Sequence, residues 1–205
     1  MNKLQQQSLT TQDMPYIADL IEKGNARTQA MIAEIKNNAH TDIRPLPLSF
    51  GGMSPSREYY NLFVIGDEQF ATGSFTVAKD NALVTYIEPD VKKKFFRIRS
   101  SSVVRQILTL PSLFMSENRD FKESRPGQKA ILGRVTDIEI KTNDIKITFE
   151  LEIQLFQQAI TDISQSLGIS GNPGFSELNN THWTIKQIDL LQVLADAGII
   201  AIPQI

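Results

Sequence analysis

Apolar and polar residues alternate without a break along one stretch of the chain. Ile145, Ile147, Phe149, Leu151 and Ile153 share one phase, and Lys146, Thr148, Glu150, Glu152 and Gln154 share the other. A period of two is that of a half-buried β-strand. Ile131 to Ile140 is its expected hairpin partner, joined through Lys141-Thr142-Asn143-Asp144. Ile131, Gly133 and Val135 fall in one phase, but Ile138 and Ile140 fall in the other. A shift of one residue inside a strand predicts a β-bulge near Thr136-Asp137.

Weaker patterns flank this hairpin. Tyr60 to Ile65 reads as a short strand. Ala71 to Ala78 and Leu83 to Ile87 read as two strands around a Lys79-Asp80-Asn81 turn, and Val91 to Phe96 fits either period. Ser101 to Leu110 predicts a helix that Pro111 ends, and Glu117 to Gly127 a polar loop. Leu155 to Leu167 predicts a helix with Phe156, Ala159, Ile160, Ile163 and Leu167 on one face, stopped by Gly168. A strand over Thr181 to Ile188 follows. Asp189 then caps a last helix, Leu190 to Ala197, that Gly198 terminates.

The N-terminal pattern is different. Ile17, Leu20, Ile21, Met31, Ile32 and Ile35 recur at helical spacing across residues 12–38, with Asp13 as N-cap, Pro15 in the first turn and a weak centre at Gly24-Asn25. Pro45, Pro47, Gly51, Gly52 and Pro55 then exclude regular helix. The expected organisation is an amphipathic helical arm over residues 1–40, a Pro/Gly linker over 41–56 and a core domain over 57–205. The expected fold class is α+β: a mostly antiparallel twisted sheet, or a small partly closed barrel, with covering helices. Its predicted core is Phe75, Val77, Val135, Ile145, Ile147, Phe149, Leu151, Ile153, Ile160, Ile163, Trp183, Ile185 and Leu194.

Composition narrows the chemistry. The chain has 205 residues, 41% hydrophobic and 21% charged, with a net charge of −2, which is an ordinary globular balance. It has no Cys and two His, so thiolate sites and disulfides are excluded, and a multi-His metal centre is not expected. Residues 1–11 are polar and Gln-rich, without the apolar core of a signal peptide, and no window approaches the length of a membrane span. These features lead to the expectation of a cytoplasmic protein with no membrane partner. The composition points to no particular cofactor.

Charge is not evenly spread. Lys92, Lys93, Lys94, Arg97, Arg99 and Arg105 fall in one segment without an acid, interleaved with Phe95, Phe96 and Ser100 to Ser102. Such a segment suits phosphate or nucleic acid: cations neutralise the backbone, hydroxyls and first-turn amides donate, and an exposed Phe stacks on a base. It equally suits a solvated surface, or an acidic protein partner. Arg119, Lys122 and Arg125 lie in the polar loop and extend the positive patch if the fold brings the two segments together. His182, next to the only Trp, is the single candidate general base, with no nucleophile or carboxylate at a recognisable spacing. No P-loop, dinucleotide fingerprint, metalloprotease or nucleophile-elbow pattern occurs.

Three functional readings follow. The first is a non-catalytic binding or assembly module whose helix at 12–38 docks a protein partner or a second copy. The second is binding of a phosphate or nucleic-acid ligand through residues 92–105. The third is a small hydrolase or transferase using His182.

Overall fold

The structure, a computed structural model, describes residues 55–66, 70 and 73–201. The expected arm at 12–38 and nearly all of the 41–56 linker lie outside the described residues. The remainder is an α+β fold, with a six-stranded mixed sheet curled into a half-barrel and four helices.

In chain order the elements are β1 (Tyr60–Val64), β2 (Ser74–Ala78), α1 (Pro89–Phe95), α2 (Ser101–Leu108), β3 (Pro111–Met115), β4 (Lys129–Ile140), β5 (Asp144–Phe156), α3 (Gln157–Asp162), β6 (Gly171–Asn172), β7 (Phe175–Ser176), β8 (His182–Lys186) and α4 (Leu190–Asp196). The large sheet runs β2-β5-β4-β3-β1-β8. Among the described strands of this sheet β1 and β3 pair in parallel and the other neighbours antiparallel. Short of closing, the curl is joined at one point: Ala82, just beyond β2, bridges to Trp183 of β8, and the Leu83 amide donates to the Trp183 carbonyl at 2.8 Å.

The curl explains why the sheet has two cores. All six strands send side chains inward: Phe63, Phe75, Val77, Phe114, Ile131, Val135, Ile145, Ile147, Phe149, Trp183 and Ile185, with Val91 and Phe95 of α1 and Ile107 of α2 completing the cluster. The aromatic rings meet at close range, Phe63 stacking on Phe114 at 5.1 Å and on Trp183 at 5.3 Å. The Trp183 indole also finds a polar partner, donating to Asn61 at 3.2 Å. A second cluster covers the outer face, where Leu62, Val64, Leu113, Leu132 and Leu155 meet Ile160 of α3 and Leu190, Leu191 and Leu194 of α4. The central strands β1 and β3 are therefore buried on both faces.

The β4–β5 hairpin forms as its alternation predicts, and the bulge falls between Val135 and Asp137. It keeps Ile138 packed against the inner core that Ile131 and Val135 enter. A second register shift, between Leu132 and Gly133 opposite Leu151–Ile153, has no counterpart in the apolar pattern. It turns the far half of β5 over: Ile145, Ile147 and Phe149 face inward, but Leu151 is exposed and Ile153 joins the outer cluster, partly buried. The assignment of Leu151 to the core is thus corrected. Gly133 permits this approach, because a Cβ there would sit 2.2 Å from the Glu150 carbonyl oxygen.

Other expectations are also corrected. Residues 83–87 do not form a strand; Leu83 and Tyr86 adopt positive φ, and β2 pairs with β5 instead. Lys79–Asn81 is a single 3-10 turn. Val91 to Phe96 resolves as helix because Pro89 opens α1. Pro111, expected only as a stop, is also the first residue of β3, where a missing N–H is tolerated. The helix expected over Leu155 to Leu167 is only α3, because β5 continues through Phe156, whose side chain is exposed. The capping expectations agree with the structure: Gly168 and Gly198 take positive φ, and the Asp189 carboxylate accepts from the Gln192 amide at 3.1 Å.

Candidate functional site

The basic segment occupies α1, α2 and the turn between them. Lys92, Lys93, Lys94, Arg97, Arg99 and Arg105 are all exposed. Helical spacing produces this arrangement: Val91 and Phe95 point into the core, so the intervening lysines point out. Among the described residues, Asp90 is the one carboxylate within ion-pair distance of the six, 2.9 Å from Lys93. Lys94 sits over the Tyr59 ring at 4.1 Å, and Lys92 donates to the Val84 carbonyl. The Arg97 guanidinium lies 5.3 Å from the ring of Phe96, which is 56% exposed.

An open cleft adjoins this segment. Its walls are Lys79 from the 3-10 turn, Ile98, Arg99 and Val104 from the α1–α2 region, and Ile138, Ile140, Lys141 and Thr142 from the end of β4 and the hairpin turn. Three cations from three separate parts of the chain face it, and among the described residues no carboxylate lines it. The Lys79 ammonium is positioned by donating to the Thr142 carbonyl, and the Lys79 amide donates to the Asn143 carbonyl at 3.0 Å. The floor is apolar, from Ile98, Val104, Ile138 and Ile140. Of the sequence-predicted residues only Arg99 lines the cleft. Lys79 and Lys141 carry no local signal, since each is a single lysine in a turn that any solvated loop would contain.

Arg119, Lys122 and Arg125 do not extend this patch. Their loop is tied to the start of β4: the Gln158 side chain donates to the Lys122 carbonyl, and the Gln157 amide to the Gln128 carbonyl. The cleft is at the far end of β4, beside Ile138 and Ile140. About ten positions of β4 lie between the two.

His182 is placed in a buried ionic cluster. His182, Thr184 and Lys186 share one face of β8, while Trp183 and Ile185 enter the inner core. The Glu177 carboxylate, fully buried, lies 3.1 Å from His182 Nε2 and 2.8 Å from Lys186 Nζ, and also accepts from the Ser170 amide at 2.8 Å. His182 Nδ1 is 2.8 Å from the Asn180 carbonyl, so both ring nitrogens face acceptors. A doubly protonated ring donates to both, whereas a neutral ring donates to one. The Tyr86 carbonyl accepts from Thr184 Oγ1 and Lys186 Nζ, and the Tyr86 ring meets the imidazole edge-on at 4.7 Å. Burial and then the Glu177 charge raise the hydroxyl pKa of Tyr86, and raise that of Tyr60 much further. Tyr60 stays a neutral donor, to the Leu167 carbonyl at 2.8 Å.

The carboxylate that the sequence could not assign to His182 is therefore Glu177. Both imidazole nitrogens are occupied and the ring is buried, so this arrangement holds the 82–88 loop against β8 and leaves no His182 lone pair open to a substrate. The one trace in the sequence is the shared phase of His182 and Lys186 on a strand whose other phase is Trp183 and Ile185.

Among the described residues no group of three or more His, Cys, Asp or Glu could hold a metal ion, and no helix is long and apolar enough to cross a membrane. No protein-family model, curated protein or solved structure matches the chain.

Proposed function

We propose that the chain is a non-catalytic binding module whose ligand carries phosphate groups, held in the cleft between the 3-10 turn, the α1–α2 region and the β4–β5 turn. The observation that supports this most is the convergence of Lys79, Arg99 and Lys141 on an open cleft with no carboxylate in its lining. Separate chain segments have to be folded together to create it, unlike a run of lysines on one helix face. Lys92, Lys93, Lys94, Arg97 and Arg105, exposed on the same α1–α2 segment as Arg99, add to the positive potential that draws anions in.

Titration of the full chain with inorganic tripolyphosphate, followed by amide chemical shifts, tests the reading. Shifts are expected at Lys79, Arg99, Lys141 and Thr142, weakening steeply with added salt. The triple charge reversal Lys79→Glu, Arg99→Glu, Lys141→Glu is expected to abolish them. Binding that survives the triple reversal, or shifts centred on the Arg119 to Arg125 loop, would show the assignment to be wrong.

A further inference from the structure

The polymer that fits this surface is narrower than "phosphate-bearing", and the inference rests on the cleft reading above. We infer that the cleft and the α1–α2 turn bind single-stranded nucleic acid, with Phe96 stacking on an unpaired base while Arg99, Lys79 and Lys141 hold the neighbouring phosphates. Phe95 and Phe96 are adjacent but have opposite fates: Phe95 is buried in the inner core, and Phe96 is 56% exposed. Phe96 is thus a large ring held on the outside of the positive face by a neighbour anchored inside. Arg97 lies against the ring at 5.3 Å, so aromatic and cation present one combined platform. Phe96 and Arg99 are three residues apart, at most about 10 Å along the chain, which brings a stacked base and an adjacent phosphate within reach of one strand.

The alternatives use less of this surface. A free phosphate or a polyphosphate chain satisfies the three cations but has no ring for Phe96. A duplex offers phosphates while its base faces are stacked on one another, so an exposed aromatic gains nothing without unpairing it. An acidic peptide pairs with the cations but has no general use for the apolar floor of Ile98, Val104, Ile138 and Ile140 beside them. An unpaired strand uses the charges, the aromatic ring and the apolar floor together.

The test is fluorescence anisotropy of the full chain with labelled oligo-dT of about 15 nucleotides, a length set by typical single-strand sites. The same oligomer as a duplex and unlabelled tripolyphosphate serve as competitors. Oligo-dT is expected to bind more tightly than the duplex. Phe96→Ala is expected to weaken oligo-dT at least about fivefold, the low end of one lost base stack, while tripolyphosphate binding is unchanged. Phe96→Trp is expected to restore the affinity. Because Phe96 is exposed, these variants retain the fold, which the Trp183 emission of the Phe96→Ala chain verifies. If Phe96→Ala leaves oligo-dT binding unchanged, or the duplex competes better than the single strand, the single-strand inference is overturned. Cleft binding to tripolyphosphate then still stands. If neither oligo-dT nor tripolyphosphate binds at low salt, both readings fall together.

Discussion

Replacing Glu177 by Gln isolates the energetics of the buried cluster. The carboxylate makes four contacts with three groups: Lys186 at both oxygens, His182 at one and the Ser170 amide at the other. An amide keeps one acceptor oxygen and turns a donor toward groups that are themselves donors. Lys186 is then a buried ammonium without a counter-charge, left with neutral acceptors, the Tyr86 carbonyl and the one amide oxygen that it shares with the other donors. Removing one member of a buried ion pair costs about 3–5 kcal/mol, because the other charge stays desolvated and uncompensated. Domain stabilities are typically about 5–15 kcal/mol, so the loss is a large part of the total. Urea denaturation followed by Trp183 emission measures it, with the midpoint falling and the slope unchanged. Adding Lys186→Met should return part of the loss, because the orphaned charge is gone, giving a double-mutant coupling of more than about 1 kcal/mol. A Glu177→Gln cost below about 1 kcal/mol, or additive single and double variants, would refute the picture of a dry, mutually compensating cluster. Tripolyphosphate binding at the cleft, which neither Glu177 nor Lys186 lines, should be unaffected in the folded variants.

Other outcomes follow from single features. Gly133→Ala places a methyl 2.2 Å from the Glu150 carbonyl oxygen, and should cost about 3 kcal/mol or displace the bulge, read as a lowered Tm and lost β4–β5 amide protection. Asp189→Ala removes the α4 cap and the 2.7 Å contact with Arg57, and should cost about 1 kcal/mol in chemical denaturation. Tyr60 has a folded pKa raised well above 10.0 by burial and by Glu177, so its stabilising contribution is complete below the unfolded value and is lost as pH rises through the folded one. Stability should therefore be insensitive to Tyr60 between neutral pH and about 9 and fall at higher alkalinity, with tyrosinate absorbance appearing in step with unfolding. Leu151→Lys, at an exposed position, should change stability by less than about 0.5 kcal/mol, whereas Phe149→Lys should prevent folding.

Local rules carried much of this architecture. The period-two run from Ile145 to Phe149, the phase slip at Thr136, the Asp189 cap and the glycine stops at 168 and 198 are legible because each depends on a residue and its near neighbours. Tertiary contacts decided the rest. The second bulge could not be read from the alternation, since Leu151 and Ile153 keep the phase of Phe149 while the bend carries them off the inner face. Leu83 to Ile87 has strand-like residues, but the edge it would extend is taken up by the bridge to Trp183 and by the Tyr86 carbonyl on Lys186 and Thr184. Phe95 and Phe96 are the same residue type side by side, and only helix orientation against the core separates one from the other. Glu177, His182 and Lys186 fall within ten residues, yet only the turn before β8 aims the carboxylate at the other two. Lys79, Arg99 and Lys141 become a group only when β2, the α1–α2 region and the β4–β5 turn fold together, because side-chain proximity between distant segments is encoded in no single stretch of chain.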